Sequence, residues 1–227
     1  MCGKFTQMYS WREVVDFSQP LDAHADDRPS PDDDGGNDSE ETVTPMRSAS
    51  VLHLKAEGFR GVTQMRWGWS KSISVVRYER PDYIHARAET IDARPTFRDA
   101  FRQRRSILVV RTFNEGAELP NGKTKQHVIT PNDGRPVGIA AIWNLESRDD
   151  GPFYSFVMAT VGANKLISTI TDRMPAVLQH DDWPKWLGEE PGSAEEVKAL
   201  LRPIEGDWTM RPQEKSPKTQ RPMGLFQ

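Results

Sequence analysis

A single cysteine stands at position 2, directly after the initiator methionine. A small side chain at this position generally permits removal of Met1, which leaves Cys2 with a free α-amine and a thiol on adjacent carbons. Such a 1,2-aminothiol condenses with an aldehyde to an imine, and the thiol then closes a stable thiazolidine ring. The amine titrates near pKa ~8 and the thiol near ~8.5, so both are expected to react at neutral pH without heavy tuning. The alternative is that the cysteine's position is accidental.

Arginines are concentrated between residues 87 and 111, although the net charge of the chain is −3. A phosphate backbone meets local rather than net charge, so this segment predicts a basic surface for nucleic acid. The arginines in it are Arg87, Arg94, Arg98, Arg102, Arg104, Arg105 and Arg111. Residues 22–41 are acidic and rich in Pro, Gly and Ser, which predicts a disordered surface insertion. Its alternative role is a DNA-mimicking gate over a basic groove.

Two tryptophans, Trp67 and Trp69, lie two residues apart in the segment RWGW. An indole ring on a strand surface can stack on an unpaired base, so both are candidates for contact with DNA. Packing inside the strand core is the competing interpretation for both rings.

Short β-branched or alternating runs predict most of the secondary structure. The strands are expected at residues 50–57, 61–69, 105–113, 126–131, 137–143 and 154–161. Helices are expected at residues 11–18, 94–104, 162–170 and 193–201, the last capped by Ser193. Many strands with a few scattered helices predict an α+β fold, in which an antiparallel, barrel-like sheet carries peripheral helices.

The composition predicts one domain over residues 1–210, interrupted by the acidic insertion at about 22–41 and followed by a flexible tail at 211–227. No apolar run is long enough to span a bilayer, and the N-terminus has no secretory pattern. We therefore expect a cytoplasmic monomer, associated with the nucleoid when it binds DNA. The histidines have no metal-ligand spacing and no phosphate-binding glycine loop is present, so neither a metal site nor a cofactor is expected.

Several segments in the same order resemble the SOS response-associated peptidase family of abasic-site-processing proteins. MCGKF at the start resembles the family's MCGRF, and RWGW resembles its RWGL. HARAETIDARPTFR at 85–98 is similar to NARAET…PSFR, and RRSILVVRTFNEG at 104–116 to RRCLIPADGFYEW. The segment at 159–178 is similar to TTxAN…IHDRMPVIL. The resemblance covers roughly residues 1–180.

The resemblance implies a covalent reaction with damaged DNA. Members cross-link the mature N-terminal cysteine to the aldehyde of an abasic site in single-stranded DNA, and are thought to remove Met1 autocatalytically. By position, Cys2 matches the nucleophile and Glu115 matches an acidic residue that moves protons. Lys4 replaces an arginine, Arg87 matches a phosphate-binding arginine, and Thr160 matches a threonine near the lesion. The alternative for Glu115 is a surface carboxylate, since its neighbours differ from the family's aromatics.

Three departures from the family pattern concern its polar residues. The family's histidine before DRMP is Thr171 here, its asparagine before ARAE is His85, and the asparagine before APT corresponds to Thr42. Threonine cannot act as a general base near neutral pH, whereas histidine can. His85 either takes over that function or is a structural histidine. Two further hypotheses stay open, a cysteine-dependent autopeptidase with a minor DNA role and a degenerate paralogue that binds single-stranded DNA without cross-linking it.

Overall fold

The computed structural model describes residues 2–7, 17–19, 42–70, 81–149 and 151–214. Its strands are β1 Lys4–Gln7, β2 Thr42–Val43, β3 Ser48–Leu54, β4 Arg60–Trp67, β5 His85–Arg87, β6 Arg105–Glu118, β7 Thr124–Pro131, β8 Val137–Arg148, β9 Gly151–Gly162, β10 Arg173–Pro175, β11 Val177–Leu178 and β12 Trp208–Pro212. Its helices are α1 Arg98–Gln103, α2 Trp183–Leu187 and α3 Ala194–Ala199, with 3-10 turns at Ile167–Thr169 and His180–Asp182.

Five strands close into a barrel. β8 pairs with β9, β9 with β4, β4 with β3, β3 with β6, and β6 returns to β8. The remaining strands extend this sheet, and β1 and β7 flank opposite edges of the long strand β6. Most pairs are antiparallel, but β4 and β5 both run parallel to β9. The predicted α+β fold with a barrel-like sheet is therefore confirmed, with parallel pairings as an addition.

The core fills the barrel because β-branched and aromatic residues alternate or run continuously along its strands. β8 is buried without interruption from Gly138 to Ile142, since one face points into the barrel and the other is covered. Gly138 makes this cover possible, because an added Cβ would lie 2.3 Å from the Trp183 ring of α2. A side chain at position 138 would therefore push α2 away from the barrel.

The helix predictions have mixed outcomes. Ser193 caps α3 through a complete capping box with Glu196, as the sequence predicts. α1 lies within the predicted helix at 94–104 but begins only at Arg98. The predicted helix at 162–170 is wrong, because only the 3-10 turn at Ile167–Thr169 forms there. The predicted helix at 11–18 and the acidic insertion lie almost wholly outside the described residues.

The C-terminal boundary also needs correction. Residues 211 and 212, assigned to a flexible tail, complete β12 against β7. Gln213 continues this pairing, because its N–H donates to the carbonyl of Gln126 at 2.8 Å. The ordered domain thus includes residues beyond 210. No helix among the described residues is long and apolar enough to cross a membrane.

Candidate functional site

The site is organised by the pairing of β1 with β6, which sets Lys4 opposite Asn114 and Phe5 opposite Phe113. Phe5 is fully buried, and its ring lies 5.2 Å from the Trp67 ring, so β1 is held by the core. Cys2 precedes β1 by two residues and is therefore delivered to the edge of β6. An anchored aromatic residue fixes the nucleophile's position more firmly than a free chain end would.

The thiol of Cys2 is enclosed, with only 1% of the residue exposed. Its Sγ donates a hydrogen bond to the carbonyl of Lys4 at 3.3 Å. Burial raises the pKa of the thiol to about 12, and the charge of Glu115 raises it further, against the smaller effect of backbone hydrogen bonds from Lys4 and Asn114. The expectation that the thiol reacts without heavy tuning is therefore wrong. The resting group is a neutral thiol that needs a base before it can act.

Glu115 lies in the same enclosure and is fully buried. Burial raises the pKa of its carboxyl to about 7, against the charge of the amino terminus and hydrogen bonds from the backbone of Cys2 and Gly116. A carboxyl with this pKa exchanges protons readily at neutral pH, which is the property required of an acid–base group. The surface-carboxylate alternative is excluded by its burial.

His85 joins this group from β5. Burial lowers the pKa of its imidazole to about 4, against a hydrogen bond to the backbone of Cys2, while the amino terminus and Arg173 lower it further. Its Nε2 is buried without a hydrogen-bond partner, so the bond to Cys2 uses Nδ1. The ring is therefore neutral at pH 7, with Nε2 free to accept a hydrogen bond.

Arg173 and Thr160 form a polar bracket beside this cluster. The Arg173 guanidinium donates to the carbonyl of Thr160, at 2.6 Å, and to its hydroxyl, at 3.2 Å. It also forms a bidentate ion pair with Glu89. Thr160 is buried, and its hydroxyl oxygen accepts from Arg173, so its position is fixed. Arg173 lies within the DRMP segment quoted above, yet sequence analysis did not single it out.

Arg87 and Lys4 are the two residues predicted to bind phosphates, and together they are called the rim of the site. Arg87 is exposed at the end of β5, opposite Thr160 in register. Its charge helps to lower the pKa of the Glu89 carboxyl, behind the direct hydrogen bond from Arg173. Lys4 is half-buried and its Nζ donates to the Gln213 side-chain oxygen at 2.8 Å. Lys4 is thus two residues from Cys2, and Arg87 is two residues from His85.

Trp67 and Trp69 belong to the core, so their assignment to base stacking is corrected. Trp67 has no exposed surface, and its Nε1 donates to the carbonyl of Ile84 at 2.9 Å. Trp69 is 6% exposed and packs on Phe97. Gly68 between them has φ near 120°, a conformation that L side chains rarely adopt, and this turn lets both rings enter the interior. A ring without accessible surface cannot receive a base in this structure.

Thr171 precedes β10 by two residues, and its N–H donates to the carbonyl of Ile167. It lines a cavity of about 500 Å³ together with Gly116, Thr124 and Gln126, next to Glu115 along β6. Thr171 is the position at which the resemblance predicts a histidine in other family members. Glu115 does not line this cavity, because neighbouring residues of a strand such as Glu115 and Gly116 point to opposite faces of the sheet.

Two of the arginines of residues 87–111 are held by backbone carbonyls. Arg104 donates to the carbonyl of Trp143, and Arg105 donates to the carbonyls of Trp186, Phe101 and Arg102. These bonds fasten α1 and α2 to the far end of β6, away from Glu115. Arg104 and Arg105 are therefore removed from the predicted basic surface, whereas Arg87, Arg94, Arg98 and Arg102 are exposed.

Comparisons with known proteins agree with this arrangement. Residues 1–216 match the model of the family described as SOS response associated peptidase (SRAP). The chain is 30% identical over 214 residues to the abasic site processing protein YoaM of Bacillus subtilis, which covers 91% of this chain and 88% of that protein. It is 26% identical over 215 residues to the abasic site processing protein YoqW of the same bacterium, covering 91% and 89%.

Two solved structures share the fold. A protein from Bacteroides thetaiotaomicron superposes with a TM-score of 0.75 at 20% identity, covering 94% of this chain and 92% of that one. A protein from Bordetella bronchiseptica superposes with a TM-score of 0.72 at 20% identity, covering 94% and 100%. At these identities the likeness concerns the fold alone.

Proposed function

The chain belongs to the SOS response associated peptidase family, and we propose that it captures abasic sites in single-stranded DNA by forming a thiazolidine with Cys2. The observation that carries this proposal is the enclosure of Cys2, Glu115 and His85 in one cluster at the start of the chain. The names of its relatives, which describe abasic site processing, support the choice of substrate.

The proposed reaction balances with the loss of one water. The free amine of Cys2 adds to the aldehyde carbon of the ring-opened sugar, and loss of water gives an imine. The thiol then adds to the imine carbon, its proton passes to the nitrogen, and a C–S bond closes the ring. Because burial holds the pKa of the thiol near 12, this step needs a nearby base, and Glu115 is positioned to serve.

Removal of Met1 must precede this reaction, because an amide nitrogen cannot form the imine. We propose that the same cluster performs this hydrolysis, with Glu115 as the acid–base group beside the Met1–Cys2 peptide bond. The backbone of Cys2 donates a hydrogen bond to the Glu115 carboxylate, which supports this proximity.

DNA binding is assigned to the rim. Lys4 and Arg87 would contact phosphates beside the lesion, and Thr160 would border the pocket. An enclosed cysteine favours single strands, because the abasic sugar of a duplex would have to turn out of the helix to reach Cys2. We propose a monomeric protein that acts in the cytoplasm and on the nucleoid.

The lesion chemistry gives the direct test. Protein lacking Met1 is expected to form an adduct with an abasic oligonucleotide that survives denaturing electrophoresis. A tetrahydrofuran analogue, which cannot open to an aldehyde, should bind but leave no adduct. An equal band with the analogue would refute thiazolidine chemistry. Binding of both strands without any adduct would support the degenerate paralogue instead.

His85 gives a prediction particular to this sequence. Its buried Nε2 has no hydrogen-bond partner among the described residues and can accept a hydrogen bond from a sugar hydroxyl, so His85→Asn should slow adduct formation, by up to ~10²-fold if it assists proton transfer. Thr171→His should speed the parent reaction, and combined with His85→Asn it should restore the lost rate. The measurement is the single-turnover rate on gels. Equal rates for the parent and both single variants would remove both residues from the proton transfer.

A further inference from the structure

Gln213, near the C-terminal end of the described chain, reaches into the site built by the first residues. Its side-chain oxygen accepts hydrogen bonds from the Lys4 ammonium at 2.8 Å and from the Asn114 amide at 3.5 Å. Lys4 and Asn114 are directly paired across β1 and β6. The side-chain oxygen of Gln213 thus links β1 to β6. The two residues that it contacts, Lys4 and Asn114, also form hydrogen bonds with the Cys2 sulfur through their backbones.

The backbone of Gln213 is itself fixed. Its N–H donates to the carbonyl of Gln126 at 2.8 Å, which continues the pairing of β12 with β7. β7 in turn pairs with β6, where Asn114 lies opposite Val128. The amide is therefore held on a rigid support, and the position of the Lys4 ammonium is set by the sheet through a single contact.

A neutral acceptor suits a cation that has to meet a phosphate. A free lysine side chain loses conformational entropy when it is immobilised by a ligand, and a side chain already held in place loses less. A carboxylate at position 213 would hold the ammonium as well but would neutralise it. The glutamine amide orients the charge and leaves it available for DNA.

We propose that Gln213 is a positioning residue that aims the Lys4 ammonium at a DNA phosphate beside the Cys2 pocket. The inference rests on the proposed function, since it assumes that a DNA strand crosses the rim at Lys4. It adds a C-terminal residue to a site otherwise built by residues 2–173.

The test measures the salt dependence of binding to a single-stranded oligonucleotide with a tetrahydrofuran site, which cannot cross-link. Each neutralised phosphate contributes about −0.7 to the slope of log K against log salt on single strands, or about 2.6-fold in affinity between 50 and 200 mM. Gln213→Glu pairs the ammonium with a carboxylate, so it should reduce the steepness of the slope by about 0.7. It should also weaken binding roughly three- to fivefold.

Lys4→Gln should give the same change, and the Gln213→Glu change should have no further effect in that background. If Gln213 has a purely structural role, the losses of affinity in Lys4→Gln and Gln213→Glu should add, and Gln213→Glu should keep the parent slope. Either result would overturn the proposal. Gln213→Leu, which removes the acceptor without adding charge, should weaken binding while keeping most of the slope. Parent-like affinity in Gln213→Leu would also overturn the proposal.

Ser147→Glu is the matched control, because it adds the same charge on an exposed residue at the far end of β8. It should keep the parent slope, and a slope reduced as in Gln213→Glu would show a general charge effect and overturn the proposal. Measurements on the parent protein distinguish a failure of the role of Gln213 from a failure of the proposed function. A parent that cross-links the abasic strand while Gln213→Glu binds like the parent refutes only the role of Gln213. A parent with no salt-dependent binding refutes the proposed function itself.

Discussion

Replacing Cys2 with alanine is expected to abolish the denaturation-resistant adduct with abasic single-stranded DNA. The variant keeps a free α-amine when Met1 is removed, so it can still form an imine, but no sulfur is present to close the ring. Imines hydrolyse in water, and the band should therefore disappear on denaturing gels. The reaction is followed by gel electrophoresis and by intact mass, which should rise in the parent by the mass of the strand minus one water.

Two controls sharpen this result. Borohydride should trap the imine of Cys2→Ala as a stable amine, which shows that the amine and the lesion still meet. Parent protein that retains Met1 should form no adduct, because its Cys2 nitrogen is an amide. A persistent adduct of equal stability in Cys2→Ala without borohydride would refute the thiazolidine.

The second large effect concerns Glu115→Gln, freed of Met1 by an added aminopeptidase, which should slow adduct formation by ~10²–10⁴-fold at pH 6. The neutral carboxyl delivers the proton that lets water leave on the way to the imine, and glutamine cannot. Because burial raises the pKa of Glu115 to about 7, the acid form prevails below that pH and declines above it. The ratio of parent to variant rates should therefore shrink as the pH rises through about 7. A constant ratio from pH 5.5 to 8.5 would remove Glu115 from proton transfer.

The same group makes folding stability depend on pH in a direction that can be checked. The pKa of Glu115 lies above its ordinary value of 4.5, so between these two values the folded state binds more protons than the unfolded state. The stability that the neutral carboxyl contributes is complete below pH 4.5 and is lost as the pH rises through about 7. Glu115→Gln should accordingly raise the Tm relative to the parent at pH 8 and leave it similar at pH 5. A lower Tm at pH 8 would indicate that lost activity reflects unfolding.

The sequence was a good guide wherever a local pattern decided the outcome. The alternating strands, the capping box at Ser193 and the position of Cys2 all follow from neighbouring residue types. The resemblance to the family brought Glu115 and Arg87 into consideration, and the structure places both at the cluster. Local patterns carry this information because secondary-structure propensity and hydrophobic periodicity are properties of a few neighbouring residues.

The errors arose where distant parts of the chain determine the burial or the hydrogen-bond partners of a residue. Trp67 reads like a surface aromatic, but the closure of β4 onto β9 and the packing of Phe5 enclose it. In the sequence Arg104 and Arg105 look like DNA ligands, but in the structure their side chains donate hydrogen bonds to the carbonyls of distant residues. Gln213 gives no sequence signal, because its role exists only through a residue 209 positions away. Nor can a sequence show that burial moves the pKa of the Cys2 thiol to about 12.

The separation of 209 positions between Lys4 and Gln213 has a consequence for biosynthesis. The partner of β1, β6, is synthesised about a hundred residues after β1, and β12 about a hundred residues after the start of β6. During that interval Cys2 has neither its enclosure nor its acid–base partner, so the nascent chain carries an ordinary thiol. Pairings between such distant segments also form slowly. The proposed processing of Met1 by the folded site would thereby have to wait until β6 and β12 have been synthesised.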